Sequence, residues 1–257
     1  MCLIFLAVNQ HLVYPLIIAA NRDEFYNRQT APADFWKDYP TIVGGRDLEA
    51  QGTWMAMTTS GRISMITNYR DPKNIDPNAP SRGQLVSDFL SSEQNAQEYL
   101  KQVEQNGKRY NGYNLIVGNL KSLYYYSNYR KGINLIPNGI HGLSNHLLDT
   151  PWPKVLRGKE QFQNILLQQE VKAETLFQLL KNEEKADDEL LPETGIGMER
   201  ERALSSMFIK TNGYGTRCST VILINHQREV SFTERVYNLQ TFEYTDRNYH
   251  FQITDHA

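Results

Sequence analysis

A chain of 257 residues, 40% hydrophobic and 22% charged, carries enough apolar material to bury a core and is long enough for one large domain or two small ones. Its 27 Lys and Arg against 29 Asp and Glu leave a formal charge of −2 with no long run of either sign, which argues against nucleic acid or an anionic membrane surface and leaves small molecules or proteins as partners. Cys2 and Cys218 are the only cysteines; this excludes a disulfide framework and a cysteine-rich zinc site and points to a reducing compartment, the cytoplasm.

The chain opens on Met1-Cys2 and an apolar run over residues 3–8. That run is too short to span a membrane and has no basic region before it, so neither a secretory signal nor an integral membrane segment is expected. Residues 2–8 and 12–20 are rich in apolar and β-branched side chains, and Asn9-Gln10-His11 between them predicts a hairpin whose first strand begins at Cys2. Pro15 marks a strand edge or bulge in the second run. Gly44-Gly45-Arg46-Asp47 ahead of Gly52-Thr53-Trp54 reads as a loop returning into a strand, without the spacing or helix of a dinucleotide site. Further strands are expected over 53–59, 62–68, 113–118, 122–127, 217–225 and 229–234.

Helical signals occupy the middle of the chain. Ser81 can cap a helix over 82–91, Ser91 with Gln94 forms a capping-box pattern ahead of the apolar positions Tyr99, Leu100 and Val103, and helical periodicity returns over 152–169 and 173–181. Residues 181–203, dense in charge, read as a solvated surface excursion. Strands, then helices, then strands without a linker predict a single α+β domain over 1–257.

Several residues carry chemistry. If Met1 is trimmed, Cys2 holds a thiol and an α-amino group, whose ordinary pKa values of about 8.5 and about 7.7–8.0 make one residue both nucleophile and base. The other reading of Cys2 is a small apolar residue opening a buried strand. Arg22 and Asp23 end the second apolar run and would lie beside Cys2 in the hairpin, as thiolate stabiliser and partner of the amine, or as a solvated ion pair. Asn68 and Asn145 follow apolar strands and can donate to an oxyanion, or serve as turn residues. Arg217 can reach an anion or sit on an edge strand. Cys218 reads as core packing, with a thiol that could pair with Cys2 on oxidation. The six histidines lack metal-ligand spacing, so no metal and no cofactor are expected.

Taken together, Asn21-Arg22-Asp23-Glu24, Gly44-Gly45-Arg46-Asp47, Gly52-Thr53-Trp54, Thr67-Asn68, Tyr113-Asn114, Leu143-Ser144-Asn145 and Tyr214-Gly215-Thr216-Arg217 resemble the NRDE family, to which the transport and Golgi organization protein 2 homologues belong. The resemblance implies an N-terminal-nucleophile hydrolase-like fold, a four-layer αββα sandwich. It further implies a site of Cys2, Arg22, Asp23, Asn68, Asn145 and Arg217, similar to that of the choloylglycine and penicillin V acylases, and hydrolysis of a non-peptide C–N bond in a small or lipid-like amide. The acylase Arg and Asp are two residues apart, whereas Arg22 and Asp23 are adjacent. Strand alternation then turns only one toward Cys2, with Glu24 as the alternative carboxylate. Family members are also linked to haem trafficking and lipid metabolism, so the alternative is a non-catalytic haem or acyl-lipid carrier using the same cleft.

Overall fold

Residues 3–7 are apolar at every position because the strand they form is covered on both faces. The computed structural model describes residues 2–254. In chain order the strands are β1 (Cys2–Val8), β2 (Leu16–Phe25), β3 (Thr30–Phe35), β4 (Ile42–Asp47), β5 (Met55–Thr58), β6 (Ile63–Asn68), β7 (Tyr113–Gly118), β8 (Leu123–Ser127), β9 (Arg130–Leu135), β10 (Gly139–Leu143), β11 (Lys210–Thr211), β12 (Tyr214–Ile224), β13 (Glu229–Tyr237) and β14 (Tyr244–Gln252). The helices are α1 (Gln84–Ser91), α2 (Ala96–Asn106), α3 (Pro153–Leu166), α4 (Ala173–Leu180) and α5 (Met198–Ala203).

One antiparallel sheet has the order β10-β1-β2-β12-β13-β14, with β11 on β12; the other runs β3 to β9 in sequence order. Ile4 and Leu6 enter the layer between the sheets with Ile18, Met65 and Ile116, whereas Leu3 and Phe5 turn outward beneath Phe162 and Phe177 of α3 and α4. Gly158 lets α3 press onto Phe5, since a Cβ there would overlap the ring. On the far side, α1 and α2 cover Ile66, Leu115 and Val117 of the second sheet. The layers are therefore α-β-β-α, the α+β sandwich implied by the resemblance. Among the described residues, no helix is long and apolar enough to cross a membrane.

The hairpin forms as predicted, with Cys2 opposite Arg22 and Val8 opposite Leu16. Its second strand starts after Pro15 and continues through the polar residues to Phe25, because β12 pairs with it along that whole length. The expected Gly44-Gly45 loop is instead the centre of β4: a Cβ on Gly44 would overlap Ala56, and one on Gly45 would overlap the Trp54 ring. Close packing, and not a ligand, demands these glycines. Asn95, and not Ser91, caps α2, accepting from the Glu98 N–H at 2.9 Å, and α1 begins at Gln84 behind Gly83 without a side-chain cap.

The charged 181–203 segment is anchored at one buried point. Glu201 is 3% exposed; it pairs with Arg70 at 2.5 Å and accepts from Thr194 N–H at 2.9 Å. Removing one partner of such a pair leaves a buried charge unpaired. Glu201→Ala is therefore expected to cost about 3–5 kcal/mol in denaturant unfolding; a loss below about 1 kcal/mol would show that the pair is solvated.

Candidate active site

The pairing register builds the site. Cys2 faces Arg22 across β1 and β2, and Arg22 faces Cys218 across β2 and β12. The three share the face turned toward the second sheet. Arg22 is 4% exposed; its guanidinium lies 4.1 Å from the Trp54 ring centre and donates to Thr30 Oγ1 at 3.0 Å. One strand separates Cys2 from Cys218, so their backbones are about 10 Å apart. A direct disulfide is out of reach at that separation, which corrects the pairing expected on oxidation.

Because β2 remains a strand through Phe25, alternation sends Asp23 to the helix-covered face and returns Glu24 to the side of Cys2. Asp23 accepts from Thr216 Oγ1 at 2.7 Å. Burial pushes its carboxyl upward, against the pull of Lys154. Lys154 is itself buried on α3, donates to the Leu204 carbonyl at 2.9 Å, and is brought down to about 8 by desolvation. Glu24 is held below the ordinary range: desolvation would raise it, and the Phe25 N–H, Arg22 and Arg28 are among the influences that pull it down. Burial pushes the Cys2 thiol up, Asp23 adds to this, and Arg22 opposes it. The thiol therefore needs a proton acceptor to become a nucleophile.

Cys2, Arg22, Asp23, Glu24, Asn68 and Arg82 border one pocket of about 80 Å³. Arg28 borders it as well and is tied to Asp47 Oδ2 through Nε at 3.0 Å and Nη2 at 2.7 Å. Among the described residues, the Asn68 side-chain amide makes no hydrogen bond. Its main-chain carbonyl accepts from Asn145 Nδ2 at 3.0 Å. Asn145 is 1% exposed, so it stands behind Asn68, outside the pocket lining. Arg217 occupies the irregular step of β12 between Thr216 and Cys218 and donates to the carbonyls of Phe25, at 2.8 Å, and Arg28. It ties down the turn after β2 through main-chain carbonyls, from an interior strand between β2 and β13, where the sequence offered an anion contact or an edge-strand position.

The remaining polar motif residues join the sheets at this end of the sandwich. Thr67 Oγ1 donates to the Ser144 carbonyl at 2.7 Å, and Asn114 Nδ2 donates to Thr67 Oγ1 at 3.0 Å and to the His146 carbonyl at 2.9 Å. Asn21 crosses the opposite face, donating to the carbonyls of Leu180 at 2.8 Å and Met207 at 2.9 Å. Arg82, Lys154 and Glu234 were not singled out from sequence. Each is a charged residue beside an element boundary or within a strand, and only tertiary packing buries Lys154 and Glu234 and half-buries Arg82.

The family model for Transport and Golgi organisation 2 matches residues 1–239. A Transport and Golgi organization 2 homolog of Mus musculus is 38% identical, covering 98% of this chain and 99% of its own. A Transport and Golgi organization protein 2 of Drosophila melanogaster is 30% identical, covering 91% of each. Among solved structures, a mutant conjugated bile acid hydrolase from Clostridium perfringens shares the fold at 9% identity and a TM-score of 0.50, covering 99% of this chain and 98% of that one.

Beside the Arg22 row, Glu234 accepts from the Ala33 N–H at 2.6 Å, and burial pushes its carboxyl up to about 7, against that bond and the charge of Arg22. The folded state thus keeps this proton longer than the unfolded chain does, and stability is lost as pH rises from the ordinary 4.5 through about 7. Glu234→Gln is expected to flatten that part of the stability profile, read by urea unfolding at pH values on either side of the window. A profile as steep as that of the parent protein would contradict the assignment.

Proposed function

We propose that this chain, which belongs to the Transport and Golgi organisation 2 family, is an N-terminal-cysteine hydrolase that cleaves the C–N bond of small amides. The observation that carries the reading is the position of Cys2 at the first residue of β1, opposite Arg22, in a polar pocket that Asn68 also borders.

Removal of Met1 frees the Cys2 amine, which takes the thiol proton. The thiolate attacks the amide carbon, the C–S bond forms, and the carbonyl electrons move onto oxygen. The Asn68 amide donates to that oxyanion, and Asn145 fixes Asn68 through its main-chain carbonyl. Arg22 favours the thiolate. Asp23, held by Thr216, is the counter-charge for the α-ammonium. The C–N bond then breaks as the ammonium returns its proton to the leaving amine. Water, deprotonated by the same amine, adds to the thioester carbon; the C–S bond then breaks to release the acid, and the ammonium returns its proton to the Cys2 thiolate. Arg217 acts by shaping the turn that carries Arg28.

The carrier alternative has less support: a pocket of about 80 Å³ bordered by arginines and carboxylates suits a small polar group better than haem or an acyl-lipid chain. Cys2→Ala is expected to lower turnover of a panel of linear chromogenic amides about 10³-fold or more while leaving the melting transition unchanged. Retained turnover in a folded variant would rule out the mechanism.

A further inference from the structure

Several arginines of this protein meet a carboxylate. Arg28 reaches Asp47 at 2.7 Å, Arg46 reaches Asp38 at 2.7 Å, Arg202 reaches Asp188 at 2.5 Å and Arg235 reaches Glu174 at 2.8 Å. Arg82 differs. Among the described residues no Asp or Glu lies within ion-pair distance of it, and one of its five N–H groups, on Nη1, donates to the Gly112 carbonyl at 3.0 Å. Its side chain borders the pocket that holds Cys2.

The neighbouring charges do not compensate it locally. The positive charge of Arg28 is met by Asp47, and Glu24 accepts from the Phe25 N–H and lies in the field of Arg22 and Arg28 as well as of Arg82. Burial works against the charged form of Arg82, and Glu24 and Cys2 pull the other way without cancelling it. A half-buried guanidinium with one of its five N–H groups engaged suits a carboxylate or a phosphate, each of which offers paired acceptor oxygens.

We propose that Arg82 is the specificity-determining residue of this pocket and binds a carboxylate or phosphate group of the substrate beside the bond presented to Cys2. The inference rests on the reading of the pocket as a substrate site, and it narrows the substrates to amides carrying a compact anionic group near the scissile carbonyl. Cys2 and Arg82 border the same pocket of about 80 Å³, which places the anion near the thiol.

Alkylation of Cys2 tests this without requiring turnover. Rates of modification by iodoacetate and by the neutral iodoacetamide, read by peptide mass spectrometry with buried Cys218 as the internal reference, give a charge-preference ratio. Arg82→Gln is expected to lower that ratio about fivefold or more, and Arg82→Lys to keep it within about twofold. At constant ionic strength, inorganic phosphate and succinate are tested separately as protectants. Protection by one and not the other identifies the anion, and Arg82→Gln should abolish it.

A ratio unchanged in folded Arg82→Gln, with Cys2 still alkylated, overturns the anion site and leaves the hydrolase reading intact. Preserved charge preference with no amide turned over would fail the hydrolase reading alone. If Arg82→Gln does not fold, the protection arm on the parent protein decides, and absence of protection by both anions overturns the proposal. A Cys2 that iodoacetamide reaches only after unfolding overturns both readings.

Discussion

The pairing of β1 with β2 is the constraint on which the site depends. It sets Cys2 against Arg22, and β12 then sets Arg22 against Cys218, so that one guanidinium lies between two thiols and over the Trp54 ring. Slipping the register by one residue would turn Arg22 to the helix face and Asp23 toward Trp54. What prevents the slip is burial on both sides: Ile4, Leu6 and Ile18 fill the layer between the sheets while Leu3, Phe5 and Ile17 fill the layer under α3 and α4. The chemistry is positioned by hydrophobic packing at a distance from it.

The same alternation divides the charges of the Asn21-Arg22-Asp23-Glu24 segment. Arg22 and Glu24 belong to the face of Cys2. Asn21 and Asp23 belong to the opposite face, where Asn21 fastens the end of α4 and Asp23 meets Thr216 in the neighbourhood of Lys154. A four-residue polar motif thus serves two layers at once. The Asn114–Thr67–Ser144 chain of hydrogen bonds does comparable work between the sheets, holding β6 against the segment after β10 where the nucleophile's strand begins.

The hairpin was legible in sequence because two apolar runs flank a polar turn, and α1 to α4 because their apolar faces repeat at helical spacing, whereas α5 lies in the charged stretch that read as a surface excursion. Cys2, Arg22, Asp23 and Asn68 were likewise legible as polar positions at the ends of apolar strands, and they border one pocket. β4 was not legible, since Gly44 and Gly45 lack side chains and only the approach of Ala56 and Trp54 explains them. β14 was missed because its residues are largely exposed and polar on an edge. Glu201 looked solvated, and Lys154 was not singled out, because local sequence carries no signal that a distant Arg70 or Leu204 will cover them. The direction of Arg217 depended on an irregular step in β12 that no residue type announces.

The central claim is that Cys2 becomes the chain's terminal residue and acts as its nucleophile. Intact-protein mass spectrometry after brief exposure to an acylating β-lactone, followed by mapping of the modified peptide, addresses it most directly. Loss of Met1 together with one acyl group on Cys2 and none on Cys218 is the expected result. A retained Met1, or a Cys2 acylated no faster than Cys218, would contradict it.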